Sequence, residues 1–337
     1  NLTLSVFGPD LIVEDPGNTL VTGIAGSTGS GTNLVTIPLS SFSDRLFINT
    51  LDGDDTVTFD PTFDLGFGPV LEVDGGVGFD QVAWNSFAPP SGLDFTAESI
   101  QLNDGLIDTG SGPQVYNGNV TLANPTTILA GDVIFNGSVN GAFGVTLNID
   151  SKGGTVIFGG GVGTNDLDVI GANTITVNQG LSVFGNILLN AEDGVFLTNP
   201  TFLNSSFNYT VEADGDGDGD GTYLQQGDFS LFGGDVTIIA ADVDLQGSIG
   251  STGTLSIVPY TVNSTISLGT DTGSFALYDA ELFRLGDGFS SIRILGDVVQ
   301  TSSEDFEGNE LPSGFELAGT NASFVNGAVV FDGNGEG

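Results

Sequence analysis

The chain has 337 residues, with 43 acidic side chains against four basic ones (Arg45, Lys152, Arg284 and Arg293), for a formal charge of −39. It holds no His, Cys or Met, which excludes imidazole bases, thiolate nucleophiles, disulfides and Cys/His metal clusters. So negative a surface repels nucleic acid and anionic lipid, and no apolar run approaches the ~18–20 residues that span a bilayer.

Along the chain, short runs of strand formers alternate with Gly, Asn and Asp turns: Leu11–Val13, Thr56–Phe59, Val120–Leu122, Asp132–Phe135, Val145–Ile149 and Thr155–Phe158. At this density they predict an all-β protein. Only Asp279–Leu285 has helical spacing, with Asp279 as a candidate N-cap. Apolar residues make up 39% of the chain, enough to bury a core without disulfides.

An internal echo narrows the architecture. Val133-Ile-Phe-Asn-Gly-Ser-Val-Asn140 recurs as Val156-Ile-Phe-Gly-Gly-Gly-Val-Gly163, 23 residues later, with fainter echoes at Val183–Ile187 and Leu231–Val236. That offset is the contour of one coil of a β-solenoid, whereas a jelly roll or sandwich gives short strands without a fixed repeat. The predicted organisation is a β-solenoid over residues 99–300, flanked by smaller β-rich segments. Residues 1–98 form an Asp/Gly-rich β domain with the single Trp84, and a boundary falls near Ala97–Leu102. Residues 301–337 form a short C-terminal set of strands, too short for a core of its own.

Two acidic stretches are candidate metal sites. Gly75-Gly-Val-Gly-Phe-Asp-Gln-Val82 matches a Gly-Gly-x-Gly-x-Asp-x-apolar turn in which Asp and backbone carbonyls of successive coils share a Ca²⁺. Asp80 is its carboxylate, and Asp54, beside Asp52 and Asp55, is the candidate partner from the preceding coil. Asp214, Asp216, Asp218 and Asp220 alternate with glycine, like ligand positions 1, 3 and 5 of an EF-hand loop. Gln225 replaces the Glu expected at position 12. In each case the plainer alternative is a solvated turn or loop, kept extended by charge repulsion. Ca²⁺ is therefore an expected cofactor, which would also relieve the self-repulsion of the chain.

The pair Asp54-Asp55 also meets the first requirement of a β-helix polysaccharide hydrolase, clustered carboxylates. Such sites usually add a nearby His, Lys or Arg for an acidic sugar, and none is close in sequence. Arg284 and Arg293, the only clustered cations, read as structural partners of nearby acids. The expectation is a non-enzymatic protein. Sequons at Asn1, Asn119, Asn136, Asn204, Asn208, Asn263 and Asn321 leave glycan attachment open.

Gln114-Val-Tyr-Asn-Gly-Asn-Val-Thr-Leu122 followed by Val133–Gly141 resembles the repeats of filamentous-haemagglutinin-type adhesins, giant bacterial surface proteins. Ile266–Leu282 with Asp287–Ile294 resembles a segment recurring in the same proteins. The resemblance covers roughly residues 110–295. It implies a right-handed parallel β-helix, an extracellular or cell-surface location, a rigid rod, and an adhesive or scaffold role, and it supplies no catalytic residues. Asn49–Thr58 with Leu71–Val82 is similar to Asp/Gly-rich coils of large bacterial exoproteins, and Asp305–Asp332 resembles the opening strands of a laminin-G-like or lectin-like jelly roll. With no Met or signal peptide at its start, the chain reads as a piece of a larger precursor. Its expected partners are further copies in a fibre, the rest of a longer chain, or a glycan or surface ligand. Exposed aromatics at Trp84, Tyr116, Tyr209 and Tyr223 would favour the last.

Overall fold

A computed structural model describes residues 1–66, 68–86, 90–198, 204–205, 207–231, 233–260, 266–268, 275–286 and 288–294, and the backbone of the strands Phe315–Glu316, Ala322–Val325 and Ala328–Phe331. The fold is a parallel β-solenoid of about 10 turns with almost no helix. Contacts divide it into two compact units, Asn1–Asp166 and Leu167–Gly337.

The first unit begins with an antiparallel cap. Leu2–Phe7 pairs with Asp10–Glu14, which pairs with Leu34–Pro38. Leu2–Phe7 also lies parallel on Thr56–Phe59. From Arg45 onward the described pairings of this unit are all parallel. Arg45–Asn49 lies on Val70–Asp74 and Thr56–Phe59 on Gln81–Trp84; both receiving strands then lie on the long strand Leu93–Leu102. Gln114–Leu122 covers that strand, and Val133–Phe135 and Val139–Gly141 cover Gln114–Leu122. A further ladder runs through Leu106–Asp108, Thr126–Ala130 and Leu147–Ser151.

The sequence echo is the coil itself: Val133, Ile134, Phe135 and Val139 stack on Val156, Ile157, Phe158 and Val162. Alternation decides the faces, since successive strand residues point to opposite sides. Val133, Phe135, Val156 and Phe158 are fully buried while Ile134 and Ile157 are not. Inside, the same position of successive coils carries an aromatic ring. Phe95, Tyr116, Phe135 and Phe158 follow one another at centroid distances of 6.1, 5.0 and 5.5 Å, the last two pairs nearly parallel. Phe59, Phe63 and Trp84 pack on the start of this column. Outside the core, amides bridge coil to coil: the Asn136 side chain donates to Asn117, and Asn117 donates to Asp94. Corners demand glycine where backbones close on each other. A Cβ on Gly137 would stand 2.2 Å from the carbonyl oxygen of Gly118.

The described pairings run across residue 98: Leu93–Leu102 is one strand, and parallel pairing is already present from Arg45. The echo fades before residue 99 because coil length varies there. Asp55 meets Asp80 across 25 residues, and Asn85 meets Asn103 across 18. Such drift hides a repeat from sequence while leaving the stacking intact.

The second unit coils in the same way. Leu167–Val177 lies on Ile187–Leu197, which receives Tyr209–Glu212 and Thr222–Gln225. Val236–Ala240, Thr254–Pro259 and Ser291–Ile294 continue the first of these ladders, and Asp242–Leu245 the second. Phe315–Glu316 pairs with Ile292 and Arg293. The coil between Thr254 and Ser291 makes an excursion of 37 residues. It holds a small parallel pair, Ile266–Leu268 with Phe275–Leu277, and the single described α-helix, Asp279–Leu282. Buried Glu281 ties this excursion down by accepting the N–H groups of Leu245 (3.1 Å) and Tyr278 (2.8 Å). Of the predicted segment 301–337, only three strands are described, including the antiparallel pair Ala322–Val325 and Ala328–Phe331; the rest lies outside the described residues.

Candidate metal centres

The alternating Asp/Gly run connects the strands Tyr209–Glu212 and Thr222–Gln225. Its glycines let the chain turn where other residues are strained, Gly217 at φ +77° and Gly219 at φ +95°. Three of its four Asp residues then accept from backbone further along: Asp214 Oδ1 from the Gly217 N–H (3.1 Å), Asp216 Oδ1 from the Asp218 N–H (3.4 Å), Asp218 Oδ1 from the Asp220 N–H (3.0 Å). The loop draws the carboxylates of Asp214, Asp216 and Asp218 together, with oxygens within 4.8 Å of one another. Asp220, also expected as a ligand, is not among the three that converge.

Asp214 is the unusual member. It is 0% exposed, and its Oδ2 has no hydrogen-bond partner. Burial pushes its carboxyl above the usual carboxylate range; the N–H groups of Gly219 and Gly217 work against that, and the charges of Asp216 and Asp218 add to it. A buried carboxylate oxygen without a donor is costly, and a hard divalent cation is the group that would satisfy it. Three oxygen donors on a short loop suit Ca²⁺, which accepts flexible geometry, better than Mg²⁺ with its demand for a near-ideal octahedron. Gln225 takes no part. It is buried, accepting from the Tyr223 hydroxyl (3.0 Å) and donating to the carbonyls of Gly227 and Ser248. The likeness to an EF-hand loop therefore ends at its fifth position.

The second pair of expected ligands is brought together in a different way. The turns at 51–55 and 75–80 do stack, with the Gly53 N–H on the Val77 carbonyl (2.8 Å) and the Val77 N–H on that of Leu51 (2.9 Å). Leu51 is held at φ +69°, and Gly76 passes so close beneath it that a Cβ would lie 1.8 Å from its carbonyl oxygen. Across this contact the two carboxylates form a reciprocal latch. Asp54 Oδ1 accepts the Phe79 N–H and Asp80 Oδ1 accepts the Asp55 N–H, both at 2.9 Å. Asp54 is exposed, whereas Asp80 is 2% exposed and keeps an unpartnered Oδ2.

Sequence reasoning passed over Glu98, whose carboxylate accepts the Asp80 N–H at 2.8 Å. Finding it requires the coil register, which drifts in this region. The aromatics whose exposure would favour a binding face, Trp84, Tyr116, Tyr209 and Tyr223, are all fully buried. Among the described residues, no helix is long and apolar enough to cross a membrane. No protein-family model matches the chain, and no curated protein or solved structure matches it.

Proposed function

We propose that this chain is an extracellular, non-enzymatic structural or adhesive element of a bacterial surface or filament protein, extended by strand addition at an open end of its coils. The supporting observation is the edge at Arg45–Asn49. This strand is paired on one side only among the described residues. The Asp44 carbonyl accepts from Val70 and the Thr50 N–H donates to Asp74. In a parallel ladder alternate residues turn both backbone groups to one side, so those of Arg45, Phe47 and Asn49 face away from the ladder. By contrast, Leu2–Phe7 covers Thr56–Phe59. An uncovered edge templates another strand, and Phe47, 45% exposed, stands in the middle of it. The occupant in this reading is a strand of a second copy or of a longer chain, and head-to-tail addition builds a fibre.

Sedimentation velocity over a range of concentrations tests this. The chain is expected to associate, and Phe47→Pro, which removes an outward N–H, to stay monomeric with an unchanged circular dichroism spectrum. A chain that stays monomeric at every concentration, with and without calcium, overturns self-association.

A second reading, a calcium-dependent module binding a glycan or surface, is favoured by the converging Asp214, Asp216 and Asp218 carboxylates. Burial of the four aromatics removes the sugar-stacking face this reading expected. In both readings Ca²⁺ is the proposed cofactor.

A further inference from the structure

Aspartyl–glycyl steps recur along the chain, and one of them is arranged unlike three others. At Asp52–Gly53, Asp74–Gly75 and Asp214–Gly215 the glycine N–H donates to a carbonyl of a neighbouring coil: Val77 (2.8 Å), Thr96 (2.9 Å) and Ala191 (2.7 Å). Asp104–Gly105 lies between the strands Leu93–Leu102 and Leu106–Asp108. Here the glycine N–H donates to the side chain just before it, with 2.6 Å from the Gly105 nitrogen to Asp104 Oδ1. Asp104 is 7% exposed, and its Oδ2 has no hydrogen-bond partner.

We propose that Asp104–Gly105 is an intramolecular modification site, at which the Gly105 nitrogen closes on the Asp104 carboxyl to form a succinimide. Oδ1 is one bond, about 1.2 Å, from Cγ. The nitrogen therefore sits no more than about 3.8 Å from the carbon it attacks, close to the ~3–3.5 Å of a near-attack pair. The chain is held on both sides of the step. The Asn103 carbonyl accepts from the Asn124 side chain and the Gly105 carbonyl from the Thr127 N–H, each at 2.8 Å. Holding two reacting groups in contact is itself a large part of an intramolecular rate.

The chemistry balances without any outside reagent. Burial pushes the Asp104 carboxyl above the usual carboxylate range, against the opposing N–H groups of Gly105 and Leu106. That favours the neutral acid, whose oxygen leaves as water. The N–Cγ bond forms and the amide proton passes to the carboxyl group. One C–O bond then breaks, and that oxygen departs with both protons. Ring closure removes a buried oxygen without a donor, a costly group, together with one titratable acid. Water later reopens the ring at either carbonyl, restoring aspartate or leaving isoaspartate.

The test uses the full chain, kept folded in mildly acidic heavy-oxygen water and sampled over time. Peptide mass spectrometry reads each Asp–Gly step for loss of one water, the imide, or for gain of heavy oxygen after reopening. A parallel incubation in urea reads the unfolded chain. The expected result is conversion at Asp104 at least tenfold faster than at Asp74, with the difference gone in urea. Gly105→Ala, whose Cβ would meet the Pro125 carbonyl oxygen at 3.4 Å, should slow conversion tenfold or more with an unchanged circular dichroism spectrum. Equal rates at the two steps in the folded chain, no conversion at Asp104, an excess that survives urea, or an unslowed Gly105→Ala overturns the proposal.

Discussion

In the unit of residues 1–166, aromatic rings fill one position of four successive coils, Phe95, Tyr116, Phe135 and Phe158, with Phe59, Phe63 and Trp84 packed on the start of that column. In the unit of residues 167–337 the corresponding work falls to aliphatic side chains such as Leu189, Val211, Ile238 and Ile257, with Tyr209 packed on Phe229. Both units nonetheless bury a Tyr–Gln pair: Tyr116 donates to Gln114 at 2.6 Å, and Tyr223 donates to Gln225 at 3.0 Å. They also spend their acidic residues differently. Asp54 and Asp80 of the first unit cap neighbouring turns, each through one oxygen. The second unit gathers Asp214, Asp216 and Asp218 with no cation beside them among the described residues. Coiling thus tolerates either interior, because the backbone ladders and alternation are common to both. What differs is how each unit responds to mutation and to ions.

The largest expected effect tests the aromatic column. Phe135→Ala removes a fully buried ring stacked on Tyr116 and Phe158 and should cost about 3–5 kcal/mol. Trp84, the chain's single tryptophan and a core residue of the same unit, reports this as an earlier fluorescence transition in urea. If the Trp84 transition stays in place, the column does not carry the stability assigned to it.

Next comes the polar centre of the second unit. Gln225→Leu removes the side-chain donor to the Gly227 carbonyl, one of two donors to the Ser248 carbonyl, which keeps the Phe229 N–H, and the acceptor of the Tyr223 hydroxyl, which keeps only Tyr209, at about 1–3 kcal/mol. Far-UV circular dichroism should show a lower melting transition while the Trp84 signal of the first unit moves little.

The acidic loop gives an effect of similar or smaller size, with a sign that can be worked out. The carboxyl of Asp214 is raised by burial, so the folded chain holds that proton more tightly than the unfolded one. Without divalent ions, its contribution to stability is therefore greatest at low pH and is lost as pH rises through the raised range. Asp214→Asn should flatten the stability profile above the usual carboxylate range. Calcium should bind better as pH rises, and stabilise the parent by about 1–3 kcal/mol at 10–100 times Kd. Equal calcium stabilisation of parent and variant in the second unit's transition would refute the assignment.

The smallest effect lies on the surface. Arg45 pairs with Glu72 at 2.9 Å and stands over the Phe47 ring at 5.2 Å, but it is 54% exposed. Arg45→Ala should cost less than about 1 kcal/mol, a difference measurable by chemical denaturation and reduced further by salt.

The parts legible in the sequence were those in which one coil copies the last. Val133–Val139 and Val156–Val162 differ little because both sit on the same faces of adjacent coils, so their offset gave the architecture and their stacking partners. Asp214, Asp216 and Asp218 were legible because a single loop brings them together. Coiling before residue 99 was hidden by unequal turns, and the antiparallel cap Leu2–Pro38 left no periodic trace. The role of Glu98 depends on a register slip at Gly118, which no local pattern encodes. Whether Trp84 and the tyrosines lie on a surface was not legible, because composition does not reveal which face of a strand turns inward; all four are buried.

The most direct test of the structural reading is negative-stain electron microscopy of the purified chain, with and without millimolar CaCl₂. The account expects regular fibres growing by head-to-tail addition, absent from Phe47→Pro. Isolated particles of single-chain mass in both conditions would contradict it.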